Sequence, residues 1–179
     1  MLFNKRRAQE YMRHCGVDAL VVTSPVNITY VSGYTCWLDP IFKAYMMVPG
    51  ASSHVAQGYA VFPREGEPAL VVNNPLFAVN AANLWVRDLH IFGDPGLDRS
   101  TVPMTLSDVD RRFLDLFDAS PRHATPTDAL VSVLQARGLA DAQIGLETEG
   151  LPPETRKAIV EALPRARVRD CSNMLRLIR

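Results

Sequence analysis

The chain has 179 residues, 47% of them hydrophobic, with 19 basic and 19 acidic side chains and no long block of like charge. That size and apolar content suit one domain with a sizeable core, which excludes a disordered polymer. The neutral balance also excludes the basic face that nucleic acid selects and the polybasic segment that an anionic membrane selects.

Cys15, Cys36 and Cys171 lie far apart and form no C-x-x-C pair, which fits a reducing compartment better than a disulfide framework or a zinc knuckle. The first residues lack the apolar stretch of a signal peptide, and no run approaches the ~20 apolar residues needed to cross a bilayer. The sequence therefore implies a cytoplasmic protein with no membrane and no nucleic-acid partner.

Asn4 to Cys15 puts Ala8, Tyr11, Met12 and Cys15 on one helical face, and Gly16 stands where a left-handed C-cap belongs. The cluster Lys5-Arg6-Arg7 reads as the solvated side of that helix. Asp18 to Thr23 is a short strand, apolar on both faces, which predicts a place inside a sheet. Ser24-Pro25 supplies a hydroxyl N-cap and a proline at the first helical position, and Gly33 closes the helix. The same device recurs at Asn74-Pro75 and Thr125-Pro126.

Tyr45–Val48, Tyr59–Phe62, Ala69–Val72 and Arg87–Phe92 read as strands. Pro63 to Pro68 is a polar turn of hairpin length between the second and third of these. Gly93 to Thr105, rich in Gly and Pro, reads as a surface loop. Helices are predicted over Ser107–Ala119, Thr127–Arg137 and Pro153–Leu163, with strands at Gln143–Glu147 and Ala166–Asp170. The sum is an α/β domain with a mixed sheet covered by helices, a hairpin in the middle and crossover units at each end. Ser172 to Arg179 starts an amphipathic helix and stops without a terminating cap, which reads as truncation.

Chemistry-bearing motifs are sparse. The sequence has no phosphate-cradling G-x-x-x-x-G-K-[ST], no dinucleotide fingerprint and no G-x-S-x-G elbow. His14, His54, His90 and His123 show no metal-ligand spacing, and each reads as a surface or half-buried histidine. Asp108, Asp110, Asp115 and Asp118 interleave with Arg111 and Arg112 as a solvated helix face. Glu147 and Glu149, closing a strand, are weak candidates for acid–base work. Cys36 beside Trp37 has no visible base to activate it. The segment Gly33 to Tyr45 stands out, with Tyr34, Trp37, Phe42, Tyr45 and Lys43 just after a helix stop. It reads equally as a ligand wall or interface anchor and as a core plug folded onto the sheet.

Gly16 to Tyr34 resembles the opening of the creatinase/prolidase amino-terminal domain, whose members run from a basic helix through a G-x-D-A-L-L-V strand to an N-(I/V)-x-Y-(L/V)-(S/T)-G-(F/Y) turn. Ala60 to Val72 is similar to the family's F-P-x-x-G-x-P strand pair. Ile144-Gly145-Leu146-Glu147 resembles its I-G-x-E strand, and Leu175-Arg176-Leu177-Ile178-Arg179 its joint to the catalytic domain. The resemblance covers essentially the whole chain. It implies a ribonuclease-H-like mixed sheet flanked by helices over residues 1–171, and over 172–179 the start of a linker helix to a missing catalytic domain.

It also implies a non-catalytic domain of a creatinase- or Xaa-Pro dipeptidase-like hydrolase, contributing to dimerisation and to the shape of the substrate site. No catalytic or metal-binding residue carries over to this chain. The peptidase relatives hold a divalent metal pair (Mn, Co or Zn) in the catalytic domain, whereas creatinase hydrolyses creatine without metal. The expected partners are a second copy of the chain and its own C-terminal catalytic domain. Tyr34, Trp37 and Lys43 are the expected substrate-side or interface residues. The alternative is a stand-alone small-molecule binding module, which needs a pocket at the aromatic loop.

Overall fold

The computed structural model describes residues 3–35, 57–73, 85–93, 100 and 105–179, apart from the side chains of Phe113 and Leu116. Helix α1 (Lys5–Cys15) begins at Asn4, whose side chain accepts from the Arg7 N–H, and ends at Gly16 in the left-handed conformation, φ 63°. The Val17 N–H then returns to Met12 O at 2.8 Å, so the turn satisfies carbonyls that the helix leaves orphaned. Strand β1 (Ala19–Val22) is buried along its whole length. Helix α2 (Pro25–Ser32) starts on the Ser24 cap and stops at Gly33.

Strands β2 (Tyr59–Pro63) and β3 (Ala69–Asn73) form the hairpin, followed by β4 (Asp88–Phe92) and helix α3 (Asp108–Ala119). After β5 (Arg122–His123) come helix α4 (Pro126–Ala136), β6 (Gln143–Leu146), helix α5 (Pro153–Ala162), β7 (Arg167–Asp170) and helix α6 (Ser172–Ile178). Where described, the expected elements lie within a residue or two of these bounds. β5 is an addition: two residues carry no period of their own, and neighbouring strand β4 creates it. Tyr45–Val48 and the helix start at Asn74-Pro75 lie outside the described residues, as do most of Gly93–Thr105.

The described strands form one seven-stranded sheet in the order β5-β4-β3-β2-β1-β6-β7. β2 runs antiparallel to both its neighbours, while the pairs β1–β6, β6–β7, β3–β4 and β4–β5 are parallel. β1 therefore lies inside the sheet, as its two apolar faces require. Period-two alternation divides the side chains between two layers. Leu20, Val22, Phe62, Leu70 and Ile91 face α1, α2 and α6, whose Met12, Ile28, Val31, Leu175 and Ile178 complete one core. Val21, Tyr59, Val61, Val71 and Leu146 face α4 and α5, through Leu130, Val133, Leu134, Ile159 and Leu163.

Gly145 in β6 permits close approach on the first of these faces. A Cβ there would meet the Cys171 Cβ and the Leu20 Cδ2 at 3.0 Å, and the Val17 Cγ1 at 3.3 Å. Gly145→Ala should therefore destabilise the domain by about 1–3 kcal/mol through overpacking. Urea unfolding checks this, and an unchanged midpoint would show that the layer relaxes around the methyl.

Candidate functional site

Adjacent parallel strands β1 and β6 send their following helices to opposite faces: α2 packs with Ile28 and Val31 on one, α5 with Ile159 and Leu163 on the other. Such a divergence opens a crevice at the carboxyl ends of the strands, where open α/β sheets bind their ligands. Here the chain fills the crevice with its own carboxylate. Glu147, one residue past β6, is 1% exposed.

Its Oε2 accepts from the backbone N–H groups of Thr23 at 2.8 Å and Ser24 at 2.9 Å. Oε1 accepts from the Ser24 hydroxyl at 2.7 Å and the Asn27 amide at 2.5 Å. Four donors thus match the lone pairs of a group that only accepts. The carboxylate also sits at the N-terminal, positive end of α2. Its own backbone is fixed as well, because the Glu147 N–H donates to Val21 O and the Thr23 hydroxyl donates to Glu147 O, each at 2.9 Å. Thr23, Ser24 and Asn27 point inward because the cap forces the chain to turn at Ser24-Pro25.

A second carboxylate closes the next gap, between β6 and β7. Asp170 Oδ1 accepts from the hydroxyls of Ser172 at 2.6 Å and Thr148 at 2.8 Å. Burial alone would raise the Asp170 pKa, but the Ser172 and Thr148 hydroxyls and their backbone N–H groups outweigh it and hold the carboxyl at about 2. Glu149 takes both its oxygens to Arg176 of α6 at 2.7 Å. On the far side of α6, the Tyr30 hydroxyl accepts from the Asn4 N–H and donates to Ile178 O, each at 3.2 Å. These contacts fix the start of α1, the end of α2 and the end of α6 to one another.

What this arrangement does chemically is hold. The cradle donors are consumed by Glu147, so they present nothing to a substrate. Among the described residues, no three His, Cys, Asp or Glu side chains converge as a metal site. Cys171 is 2% exposed, and burial, with the charges of Glu147 and Asp170 adding, pushes its thiol up and away from reactivity.

The expected loop residues are divided. Tyr34 is described: its side chain is 4% exposed in the α1–α2–α6 core, its N–H donates to the Ser32 hydroxyl at 3.0 Å, and its carbonyl accepts from Thr29 at 2.8 Å. Trp37, Lys43 and Cys36 lie outside the described residues. The structure sharpens one sequence reading and corrects another. Glu147 is a fully engaged structural carboxylate; the signal for it was its place one residue past a buried strand, opposite a capped helix start. His90 is buried, at 6% exposure, and lies beside His123, because the parallel pairing of β4 with β5 brings together residues that sequence spacing keeps apart.

Two outcomes follow from this geometry. Glu147→Gln turns one acceptor into a donor facing donors, and should cost about 2–4 kcal/mol in urea unfolding, without a change of fold by circular dichroism. The low Asp170 pKa means stability that is complete above the ordinary value of 3.8 and lost as pH falls through about 2. Ser172→Ala should move the Asp170 titration, followed by carboxyl NMR, upward toward the ordinary value.

The family model described as the Creatinase/Prolidase N-terminal domain matches residues 5–179. Among solved structures, a Creatine_N superfamily domain of a dipeptidase from Streptococcus thermophilus is similar at 15% identity and a TM-score of 0.62, with 100% of each chain covered. The N-terminal domain of a cytoplasmic peptidase from Mycobacterium tuberculosis aligns at 11% identity and a TM-score of 0.54, over 98% of this chain and 97% of that one. A dipeptidase from Pyrococcus horikoshii aligns at 10% identity and a TM-score of 0.53, over 97% of this chain but 35% of its own. No curated protein sequence matches the chain. The capped helices, the mixed sheet and the end-to-end match agree, and the chain belongs to the creatinase/prolidase N-terminal domain family.

Proposed function

We propose that the chain is the non-catalytic N-terminal domain of a creatinase- or Xaa-Pro dipeptidase-like hydrolase, and that it contributes to dimerisation and to the shape of the catalytic domain's substrate site. The observation that carries this reading is the pattern of coverage. The chain spans all of an isolated N-terminal domain but about a third of a longer dipeptidase, 100% against 35%. A domain that forms one third of such enzymes has its use beside the other two thirds.

In this reading the partners are a second copy of the chain and its own C-terminal catalytic domain, and residues 172–179 begin the link between the two. Any divalent metal pair, of Mn, Co or Zn, belongs to that catalytic domain. A cytoplasmic location goes with it. Among the described residues no helix is long and apolar enough to cross a membrane. Tyr34, Trp37 and Lys43 are the residues proposed for the substrate side or the subunit interface. Tyr34 is anchored just past α2, where its N–H donates to the Ser32 hydroxyl and its carbonyl accepts from Thr29. Lys43 would act there as a point charge, without arginine's two-pronged fork.

The purified chain, incubated with Mn²⁺, Co²⁺ or Zn²⁺ and desalted, should retain less than one ion and cleave no Xaa-Pro dipeptide. Retention of one or two ions with turnover would overturn the non-catalytic assignment. In sedimentation velocity the chain should self-associate, and Trp37→Ala should weaken the dimer about tenfold or more if Trp37 is an interface anchor. A monomer at every concentration would remove dimerisation from the proposal.

A further inference from the structure

At the opposite end of the sheet from Glu147, His90 of β4 and His123 of β5 meet. The Nδ1 of His90 lies 3.4 Å from the Nε2 of His123, with ring centres 5.6 Å apart and planes 21° apart. Centres so much farther apart than the two nitrogens put both nitrogens close to the line between the rings. The imidazoles therefore meet edge to edge through one N–H···N bond, rather than face to face. On its other side His90 Nε2 is 3.0 Å from Asp88 Oδ1, and Asp88 Oδ2 holds the guanidinium of Arg137.

A carboxylate only accepts, so the proton of His90 stays on Nε2. His90 Nδ1 is then the acceptor and His123 Nε2–H the donor. One further proton is accommodated, because a single hydrogen can still lie between His90 Nδ1 and His123 Nε2 while one ring carries the charge. A second is not accommodated. Both facing nitrogens would then carry hydrogens and both rings a positive charge, and the bond would become a repulsion.

Besides the packing of α4 against it and the Arg122 guanidinium donating to Phe117 O, β5 is held by its short ladder with β4. β5 pairs with β4 only through Ile91–Arg122 and Phe92–His123, with the Ile91 N–H donating to Pro121 O and the Gly93 N–H to His123 O. We propose that the His90–His123 pair is a proton-counting latch: β5 stays paired with β4 while the rings share at most one extra proton, and is released when they hold two. The described charged groups around the pair are Asp88 on its own strand, and Arg137 and Asp128 from α4; Arg122 of β5 turns away over the Phe117 ring, and β3 offers only Val71 opposite His90. Burial, then the charge of His90, lower the His123 pKa below its ordinary 6.5, with Asp128 opposing them. A lowered histidine pKa means that the unfolded or released state binds the proton more readily. The latch is therefore complete above 6.5 and is lost progressively as pH falls below it. Release would uncover the backbone groups of β4 as a new sheet edge.

Amide exchange on the full chain tests this. Between about pH 7.5 and pH 5, the Gly93 and Ile91 amides should lose protection by about tenfold, after correction for intrinsic rates, while amides of central strand β1 keep theirs. His123→Gln keeps a donor toward His90 Nδ1 but gains no charge, and should abolish the pH dependence. Its persistence in that variant, or its absence in the wild type, would overturn the latch. Imidazole nitrogen shifts of the wild type supply a second reading that needs no variant. Coupled titration with His90 as the Nε2–H tautomer supports the proposal, and two independent titrations at the ordinary value overturn it.

Discussion

The carboxylate of Glu147 is the constraint on which the rest of the domain is arranged. Parallel strands whose following helices part to opposite faces leave a gap lined with the unpaired N–H groups of a helix start. In many α/β proteins a bound anion satisfies those groups. In this chain the neighbouring strand supplies the anion, and two backbone N–H groups, one hydroxyl and one amide converge on it. The position usually open to a ligand is thereby turned into a rivet. It fixes α2, and with it Tyr34 just past the end of α2.

The same logic extends along the carboxyl edge. Asp170 ties the turn after β7 to the turn after β6, Glu149 ties that turn to α6, and Tyr30 ties α6 to the start of α1. Each contact is modest, since partly exposed ion pairs contribute little by themselves. Together they set one orientation of α6 against the sheet, which a helix of seven residues could not hold by propensity. The far edge ends in the two-residue strand β5.

Fold similarity at 10–15% identity has a physical basis in what the domain requires. Strand alternation, helix period, hydroxyl-proline helix starts and glycine stops can each be met by many residues. What cannot vary freely are the places where elements touch without room to spare, such as Gly145 under Cys171 and Leu20. Such positions are few, and they leave most of the sequence free to drift.

Local chemistry made much of the architecture legible in the sequence. Asn4, Ser24 and Thr125 cap helices through contacts three residues away, and Gly16 and Gly33 stop them, so those boundaries need no tertiary information. The apolar run of β1 announced its interior place in the sheet. Strand order was not legible, because hydrogen bonds between β1 and β6 join residues more than a hundred positions apart. Nor was the status of single polar residues. Glu147 reads like any glutamate after a strand until β1 and α2 close around it, and His90 reads as isolated until β5 delivers His123. The sequence by itself determined where the elements lie and which faces are apolar, since period and capping act within one turn or strand. Only the tertiary structure decided which polar groups meet, because burial, and the hydrogen bonds that burial demands, come from partners that the chain brings back from a distance.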